Sequence, residues 1–303
     1  MIKMIASRYL FAIITLKLFD EMYAFLLDRC HRLPSTASMQ SFDFSSAMGW
    51  DEFYKKTEKY DSMALQDGCP TTETKTATTE WHPSVSLDDI ASLVPPNGKC
   101  LIIGCGNSNL PDVILKQRDR PPPRSLALLD TSQTCLNQLR ERHLRMESSS
   151  ATSKKAKSML SLSNTDMEYV CGDVTKISNY FGVDNNISDG SIAEYKGGKN
   201  DKEETFFDII IDKGLTDALL CGEGWDGPLE KLLYESAKVL SIETGQYLLI
   251  SYELPSSTKE FLVDIGQKAG LEWDFDFDLV ASVSQDVNVA MATRKNAPII
   301  VSS

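Results

Sequence analysis

The clearest regularity in the chain is a series of short apolar runs, each followed by a polar turn and a stretch of helical periodicity. Such runs begin near Leu101, Leu126, Met167, Phe207 and Tyr247. Apolar runs of about four to eight residues predict strands that are buried on both faces. Strands that alternate with helices predict a mostly parallel sheet. The pattern therefore predicts an α/β fold with helices packed on both faces of the sheet.

The stretches between these runs predict the helices, and their ends carry the residue types of helix caps. Ser86 can cap the N-terminus of a short helix, Pro228 suits the first turn of another, and Gly270 suits a C-cap. Near the C-terminus, two segments alternate apolar and polar residues, which is typical of an antiparallel hairpin that closes a sheet. The expected strands cover 101–103, Ser125–Asp130, 167–174, 206–214, 245–252, 271–280 and 287–293. The expected helices cover 85–94, 111–116, 135–146, Leu215–Leu220, 228–240 and Ser256–Ala269.

The chain length of 303 residues suits one large α/β domain. We assign that domain to residues 41–303, with flexible insertions near 147–165 and 183–204 that are rich in Ser, Lys, Gly and Asn. Residues 1–40 form an N-terminal extension. Its apolar stretch is short and interrupted by charges, so it does not predict a membrane-spanning helix. Three interpretations of the extension stay open: a packed or disordered extension, a targeting segment, or translation that starts at Met39 or Met48.

Composition and charge narrow the classes of partner. The formal net charge of −12 does not favour binding to nucleic acid or to an anionic membrane, because either partner attracts a basic face. Seven cysteines without a Cys-x-x-Cys motif indicate reduced thiols, and three histidines make a zinc site improbable. We expect a cytoplasmic monomer without nucleic acid or stable membrane association. If residues 1–38 are a targeting segment, the expected location is mitochondrial.

One apolar run ends in a glycine-rich turn, Gly104-Cys105-Gly106-Asn107-Ser108. Glycines at such a turn let the backbone approach a ligand that a Cβ atom would push away. Ligands of open α/β sheets bind beyond the carboxyl ends of the strands, so this turn predicts the floor of a cofactor site. Position 109 is Asn, which departs from the dinucleotide-binding fingerprint, and no Gly-Lys-Ser/Thr follows, which excludes a P-loop.

Acidic residues follow three of the other predicted strands. Asp130 can accept hydrogen bonds from both hydroxyl groups of a ribose. Asp173 can accept a hydrogen bond from an exocyclic adenine amine, while Val174 donates its backbone amide. Asp212 ends a further strand, together with Lys213, beside the glycine turn. A cofactor with an adenosine but without phosphates needs this arrangement, and S-adenosyl-L-methionine is such a cofactor.

Several motifs resemble one group of methyltransferase-like proteins, which includes the lysine methyltransferases of translation elongation factor 1-alpha and of citrate synthase. They are the glycine turn with Asn107-Ser108, a Trp-Asp-x-x-Tyr motif at Trp50 and Tyr54, Glu80-Trp81, and Asp212-Lys213-Gly214 followed by Asp217-Ala218-Leu219-Leu220. The resemblance spans roughly residues 45–295. This chain departs from the group at His82, where a Tyr is common, and at Leu215-Thr216, which reverses a Thr-x pair.

The resemblance implies a Rossmann-like, seven-stranded class I methyltransferase sheet, mostly parallel with an antiparallel closing hairpin. It implies an S-adenosyl-L-methionine-dependent methyltransferase, with a protein lysine as the expected acceptor. A small-molecule methyltransferase and a non-catalytic cofactor-binding protein remain alternatives. The expected cofactor-binding residues are Trp50, Tyr54, Trp81, Gly104, Gly106, Asn107, Asp130, Thr131, Asp173, Val174 and Lys213. Asp212 is the candidate for orienting the reacting end of the site, and Tyr252 is either part of an acceptor channel or an ordinary strand-end aromatic residue.

Overall fold

A computed structural model describes residues 46–64, 80–117, 119–152, 165–181, 206–277 and 287–296. The predicted extension at residues 1–40 lies outside the described residues. So do the predicted insertion at 183–204 and residues 153–164 of the insertion predicted near 147–165.

Seven strands form one sheet in the order β3-β2-β1-β4-β5-β7-β6. The first five pair in parallel, while β7 pairs antiparallel with both β5 and β6. The strands are β1 Lys99–Ile103, β2 Ser125–Asp130, β3 Asp166–Cys171, β4 Ile209–Lys213, β5 Gln246–Tyr252, β6 Leu271–Asp274 and β7 Val287–Arg294. The predicted mostly parallel sheet with an antiparallel closing hairpin is therefore confirmed.

Eight α-helices and one 3-10 helix (Val174–Lys176) belong to the described part of the chain. The α-helices are α1 Ala47–Ala64, α2 Leu87–Ser92, α3 Leu110–Lys116, α4 Gln133–Thr152, α5 Ile177–Tyr180, α6 Leu215–Leu220, α7 Asp226–Val239 and α8 Ser256–Ala269. The Ser86 side chain accepts a hydrogen bond from the backbone N–H of Asp89 (3.2 Å), as predicted for an N-cap. Gly270 ends α8 in the left-handed conformation (φ 74°), as predicted for a C-cap. No described helix combines the length and apolarity needed to cross a bilayer.

Several predicted elements have different bounds in the structure. The strand predicted over 271–280 ends at Asp274, and the strand predicted over 206–214 is shorter, at Ile209–Lys213. The third strand ends at Cys171 rather than at 174, because Asp173 accepts a hydrogen bond from the backbone N–H of Thr175 (2.9 Å) and caps the 3-10 helix. Helix α4 continues past Met146 to Thr152, since no Gly or Pro interrupts it. The first predicted insertion is therefore helical at its beginning.

Apolar side chains fill both faces of the sheet. Every residue of β1 and β4 is buried, which explains the apolar runs at Cys100–Ile103 and Ile209–Ile211. One buried cluster lies on the face covered by α7 and α8, and the other on the face covered by α2, α3 and α4. Strand β3 lies at the edge of the sheet and is mostly exposed or half-buried. The core thus holds the central strands rigidly, and their carboxyl ends form one continuous edge.

The strand order reverses at β1, which pairs with β2 on one side and with β4 on the other. Ile103, the last residue of β1, lies opposite Leu129 in β2 and opposite Asp212 in β4. The glycine turn after β1 therefore lies between the carboxyl ends of its two neighbours. A crevice at this point is where open α/β sheets bind ligands.

Candidate functional site

A cavity of about 510 Å³ opens at this edge of the sheet. Its volume falls within the range of roughly 300–1,000 Å³ that is typical of small-molecule sites. Ten of the eleven residues that the sequence assigns to a cofactor line its wall, namely Trp50, Tyr54, Trp81, Gly104, Gly106, Asp130, Thr131, Asp173, Val174 and Lys213. The fold thus gathers residues that are far apart in the chain around one space.

The glycine turn forms the floor of the cavity and cannot carry side chains at two positions. Gly104 (φ 56°) and Gly106 (φ 51°) both adopt the left-handed region, which other residues rarely enter. A Cβ atom on Gly106 would lie 2.5 Å from the hydroxyl oxygen of Tyr54, and one on Gly104 would lie 2.8 Å from Cβ of Leu215. The turn therefore presents bare backbone to the cavity.

Asp130 connects the end of β2 to this turn. One carboxylate oxygen accepts a hydrogen bond from the backbone N–H of Gly106, and the other accepts one from Ser132, both at 2.8 Å. Burial raises the pKa of Asp130, although these N–H donors oppose the shift. A carboxylate has about four acceptor positions, so two N–H donors leave capacity for a ligand's hydroxyl groups.

Asp173 occupies the edge of the cavity next to β3. Its side chain is about half exposed (46 %), and one oxygen accepts hydrogen bonds from the backbone N–H (2.9 Å) and the hydroxyl (2.8 Å) of Thr175. Burial opposes ionisation, but Thr175 and Lys176 outweigh it and lower the pKa of Asp173. Asp173 therefore offers an ionised acceptor at this edge.

Three aromatic rings enclose the cavity from the N-terminal side. The ring centroid of Trp50 lies 6.3 Å from that of Tyr54 in a stacked arrangement and 6.2 Å from that of Trp81 in an edge-on arrangement. Asp51, which follows Trp50 in α1, accepts hydrogen bonds from the Ser132 hydroxyl (2.6 Å) and the Thr134 backbone N–H (3.0 Å). Burial disfavours the charge of Asp51, yet these donors lower its pKa to about 2. Asp51 thus ties the aromatic wall to the start of α4.

Glu80 joins three parts of the site. Its carboxylate accepts hydrogen bonds from the Ser108 hydroxyl (2.9 Å), the Asn109 backbone N–H (2.5 Å) and the Lys213 ammonium (2.9 Å). Lys213 also donates to the backbone carbonyl of Trp81. Burial lowers the pKa of Lys213, and the Glu80 charge opposes that shift. The sequence motif includes Glu80, but sequence reasoning assigned no role to it.

Asp212 does not line the cavity, in contrast to the expectation that it orients the reacting end. Its fully buried carboxylate accepts hydrogen bonds from the backbone N–H of Leu215 (2.9 Å) and the hydroxyl groups of Thr216 (2.6 Å) and Tyr247 (2.8 Å). Burial raises its pKa to about 6, against the effect of these donors. The contacts make Asp212 a positioning residue for the start of α6.

Two further residues named from the sequence do not line the cavity. The Asn107 side chain does not line the cavity; the residue is buried, and its backbone carbonyl accepts a hydrogen bond from Arg142. Tyr252 does not line it either. Its ring packs edge-on against His82 with centroids 4.5 Å apart, and its backbone N–H donates to Asp217 (3.1 Å). Tyr252 is therefore an ordinary strand-end aromatic residue with respect to this cavity.

Helix α6, the turn after it and the start of α7 complete the wall with residues that sequence reasoning missed. They include Leu215, Ala218, Leu219, Glu223, Trp225 and Lys231. The helical pattern at Leu215–Leu220 was visible in the sequence, but nothing in it showed which face turns toward the glycine turn. Within the described lining, Lys213 and Lys231 are the basic side chains, and Lys213 is paired with Glu80. The described residues contain no group of three His, Cys, Asp or Glu arranged to hold a metal ion.

Comparison with known proteins gives no family assignment. No protein-family model matches the chain, and no curated protein matches it. Among solved structures, the chain is similar to a TehB-like SAM-dependent methyltransferase from Corynebacterium glutamicum (13% identity, 80% of this chain and 99% of that one, TM-score 0.42). It is also similar to the YcgJ protein of Bacillus subtilis (12% identity, 71% of this chain and 100% of that one, TM-score 0.42). A third is the plantazolicin methyltransferase BpumL, solved with a triazolic desmethylPZN analog and SAH (13% identity, 81% and 100%, TM-score 0.40). With TM-scores below 0.5, these likenesses carry no conclusion about function.

Proposed function

We propose that the chain is an S-adenosyl-L-methionine-dependent methyltransferase. The observation that carries this proposal is the meeting of the glycine turn, Asp130 and Asp173 in one cavity at the switch point of the sheet. A ligand that fits has hydroxyl and amine donors but no phosphate groups, because the described lining has no cluster of basic side chains. An adenosine with an amino-acid tail meets these requirements.

The residues present fit such a cofactor. The bare backbone at Gly104 and Gly106 leaves room that a Cβ atom would fill. Asp130 would hold the ribose hydroxyl groups, Asp173 would accept from the adenine amine, and the aromatic side chains Trp50, Tyr54 and Trp81 would enclose the ligand. These assignments use acceptors and apolar surfaces that face the cavity.

The cofactor, when bound, would supply a methyl group on a positively charged sulfonium, and the neutral thioether would be the leaving group. The contribution of the chain is then to position the reactants and to exclude water. Trp50, Trp81 and Leu215 provide apolar surface for that purpose. An acceptor amine beside such surface loses its proton more readily, because desolvation disfavours the charged form.

We infer that the acceptor is a lysine of a protein. The motifs from Trp50 to Asp217 that resemble the lysine methyltransferases support this inference. A net charge of −12 supports it too, because an acidic protein attracts basic segments, in which lysines are common.

Labelling of a cell lysate tests the proposal. The purified chain is incubated with tritiated S-adenosyl-L-methionine, and labelled protein is hydrolysed to identify the modified amino acid. Methyllysine in a discrete protein, absent with the Gly106→Arg variant, is the expected result. Label found in small molecules alone would show that the acceptor is a small molecule and not a protein. Cofactor binding without any transfer would indicate a non-catalytic binding protein.

A further inference from the structure

A half-buried arginine contacts the backbone of the glycine turn. Arg142, on α4, donates one hydrogen bond to the carbonyl of Asn107 (3.0 Å) and another to the carbonyl of Ser108 (2.5 Å). Its Nε atom lies 2.7 Å from a carboxylate oxygen of Asp112 on α3. The Arg142 side chain is 17 % exposed and that of Asp112 is 6 % exposed. A planar guanidinium can bridge two successive carbonyls and a carboxylate at once, which an ammonium cannot.

The anchor of this arginine is itself fixed. Asp112 also lies 3.0 Å from Nε2 of His143, and Nδ1 of His143 contacts the hydroxyl of Tyr169 on β3. Movement of the buried Asp112 carboxylate away from the Arg142 guanidinium would leave a buried charge unpaired, which is costly. Asp112 therefore fixes Arg142 with respect to both α3 and the sheet.

A cationic and an anionic side chain both hold the turn. Arg142 donates hydrogen bonds to the carbonyls of Asn107 and Ser108. Glu80 accepts hydrogen bonds from the hydroxyl of Ser108 and the backbone N–H of Asn109. Glycines give a backbone many alternative conformations, so the path of a turn that begins with Gly104 and Gly106 depends on such external contacts.

We propose that Arg142 is a positioning residue of the cofactor site, which holds the turn in the conformation that admits the ligand. This inference rests on the proposed function for the identity of the ligand. Loss of two charge-assisted hydrogen bonds is expected to weaken cofactor binding about tenfold.

Substitution on the same helix tests it in the full-length chain. Arg142→Gln removes the charge, and Arg142→Lys keeps the charge without the planar fork. Arg145→Gln is the matched control, because Arg145 is exposed on α4 and pairs with Glu141 one turn away. The dissociation constant for S-adenosyl-L-methionine is measured by calorimetry. Hydrogen–deuterium exchange of peptides that cover residues 104–110 is measured without the cofactor.

Both Arg142 variants are expected to raise the dissociation constant and to speed exchange in residues 104–110, while Arg145→Gln changes neither. If Arg142→Gln does not fold, Arg142→Lys decides. Unchanged exchange at the turn in a folded variant, or exchange that rises evenly over the whole sheet, would overturn the positioning role. If the unsubstituted chain binds no cofactor, the proposed function fails, and the exchange measurement still decides the role of Arg142.

Discussion

The side chain of Tyr54 occupies the space that any residue other than glycine would need at position 106. The hydroxyl oxygen is the near contact, at 2.5 Å from the position that a Cβ atom would take, and the ring carbon behind it lies at 3.5 Å. The conflict is therefore with one oxygen atom. This makes the fit between the turn and the aromatic wall testable by a pair of substitutions.

Gly106→Ala is expected to displace Tyr54 and to weaken binding of S-adenosyl-L-methionine about tenfold, since holding alanine in the left-handed conformation that the bound turn needs costs about 1–2 kcal/mol. Tyr54→Phe in the same chain removes the oxygen and is expected to restore part of the affinity. Calorimetry of both single variants and the double variant measures this. Strictly additive losses would show that the two residues do not share the conflict.

Glu80 and Lys213 form an ion pair in a buried setting, with side-chain exposures of 19 % and 5 %. Glu80→Gln leaves the ammonium of Lys213 without its counter-charge and is expected to cost about 2 kcal/mol of unfolding free energy. Lys213→Met in addition should recover much of that loss. Urea denaturation of the two single variants and the double variant gives the coupling, and a double variant as unstable as the sum of both would contradict it.

The same pair predicts a pH dependence with a definite sign. Burial lowers the pKa of Lys213 below its ordinary value, and the charge of Glu80 opposes this. Without Glu80 the folded state binds the Lys213 proton less tightly than the unfolded state does, so stability rises with pH. The deficit of Glu80→Gln should therefore shrink between pH 7 and about pH 10. A deficit that stays constant over this window would argue against a charged, buried Lys213.

The pH dependence of stability that Asp212 contributes is opposite in sign to that of Lys213: stability falls as the pH rises. Burial raises the pKa of Asp212 from 3.8 to about 6, so the folded state binds its proton more tightly and its contribution to stability is lost as the pH rises through that window. Asp212→Asn should lack this loss, because an amide does not titrate in this range, and any loss of cofactor affinity should follow from displacement of α6, since Asp212 itself does not line the cavity. Denaturation curves at pH 4 to 7 test the positioning role. If the unsubstituted chain and Asp212→Asn gave parallel profiles of stability against pH while the variant lost turnover, Asp212 would instead contact the reacting groups.

Among the elements, the central strands were predictable and the orientations of their end residues were not. Strands β1, β2, β4 and β5 are buried on both faces, so their apolar runs identify them. A residue's position at the end of a strand does not tell whether its side chain lines the cavity, as Asp130 does, or bonds to the start of a helix instead, as Asp212 does. The role of Arg142 depends on two backbone carbonyls more than thirty residues away in the chain, and the sequence around Arg142 does not indicate these contacts.

Helix α1 is held to the rest of the site through Asp51, which makes the aromatic wall depend on one carboxylate. Asp51→Asn is expected to weaken the bonds from Ser132 and Thr134 and to raise the cofactor dissociation constant about threefold to tenfold. Glu52→Gln is the matched control, because Glu52 is the next residue on α1 and its side chain is 61 % exposed. Fluorescence of Trp50 and Trp81 during titration reports the wall itself. Equal affinities of the two variants would show that Asp51 does not hold it.

At the scale of the whole molecule, the net charge of −12 predicts how a basic acceptor is recognised. Salt screens long-range attraction, with a Debye length of about 10 Å at 0.1 M ionic strength. The KM for a basic protein acceptor should therefore rise as salt is added, while the dissociation constant for the cofactor changes much less. Initial rates at several salt concentrations measure both. A KM that does not respond to salt would show that charge attraction does not recruit the acceptor.

The identity of the ligand in the cavity decides the proposed function as a whole. Isothermal titration of the purified chain with S-adenosyl-L-methionine, with ATP and NAD as comparison ligands, measures it directly. We expect saturable binding of the methyl donor at one site, at least about tenfold tighter than either comparison ligand, and no binding by Gly106→Arg. A folded chain that gives no heat with S-adenosyl-L-methionine, or that binds ATP or NAD more tightly, would contradict the proposed function.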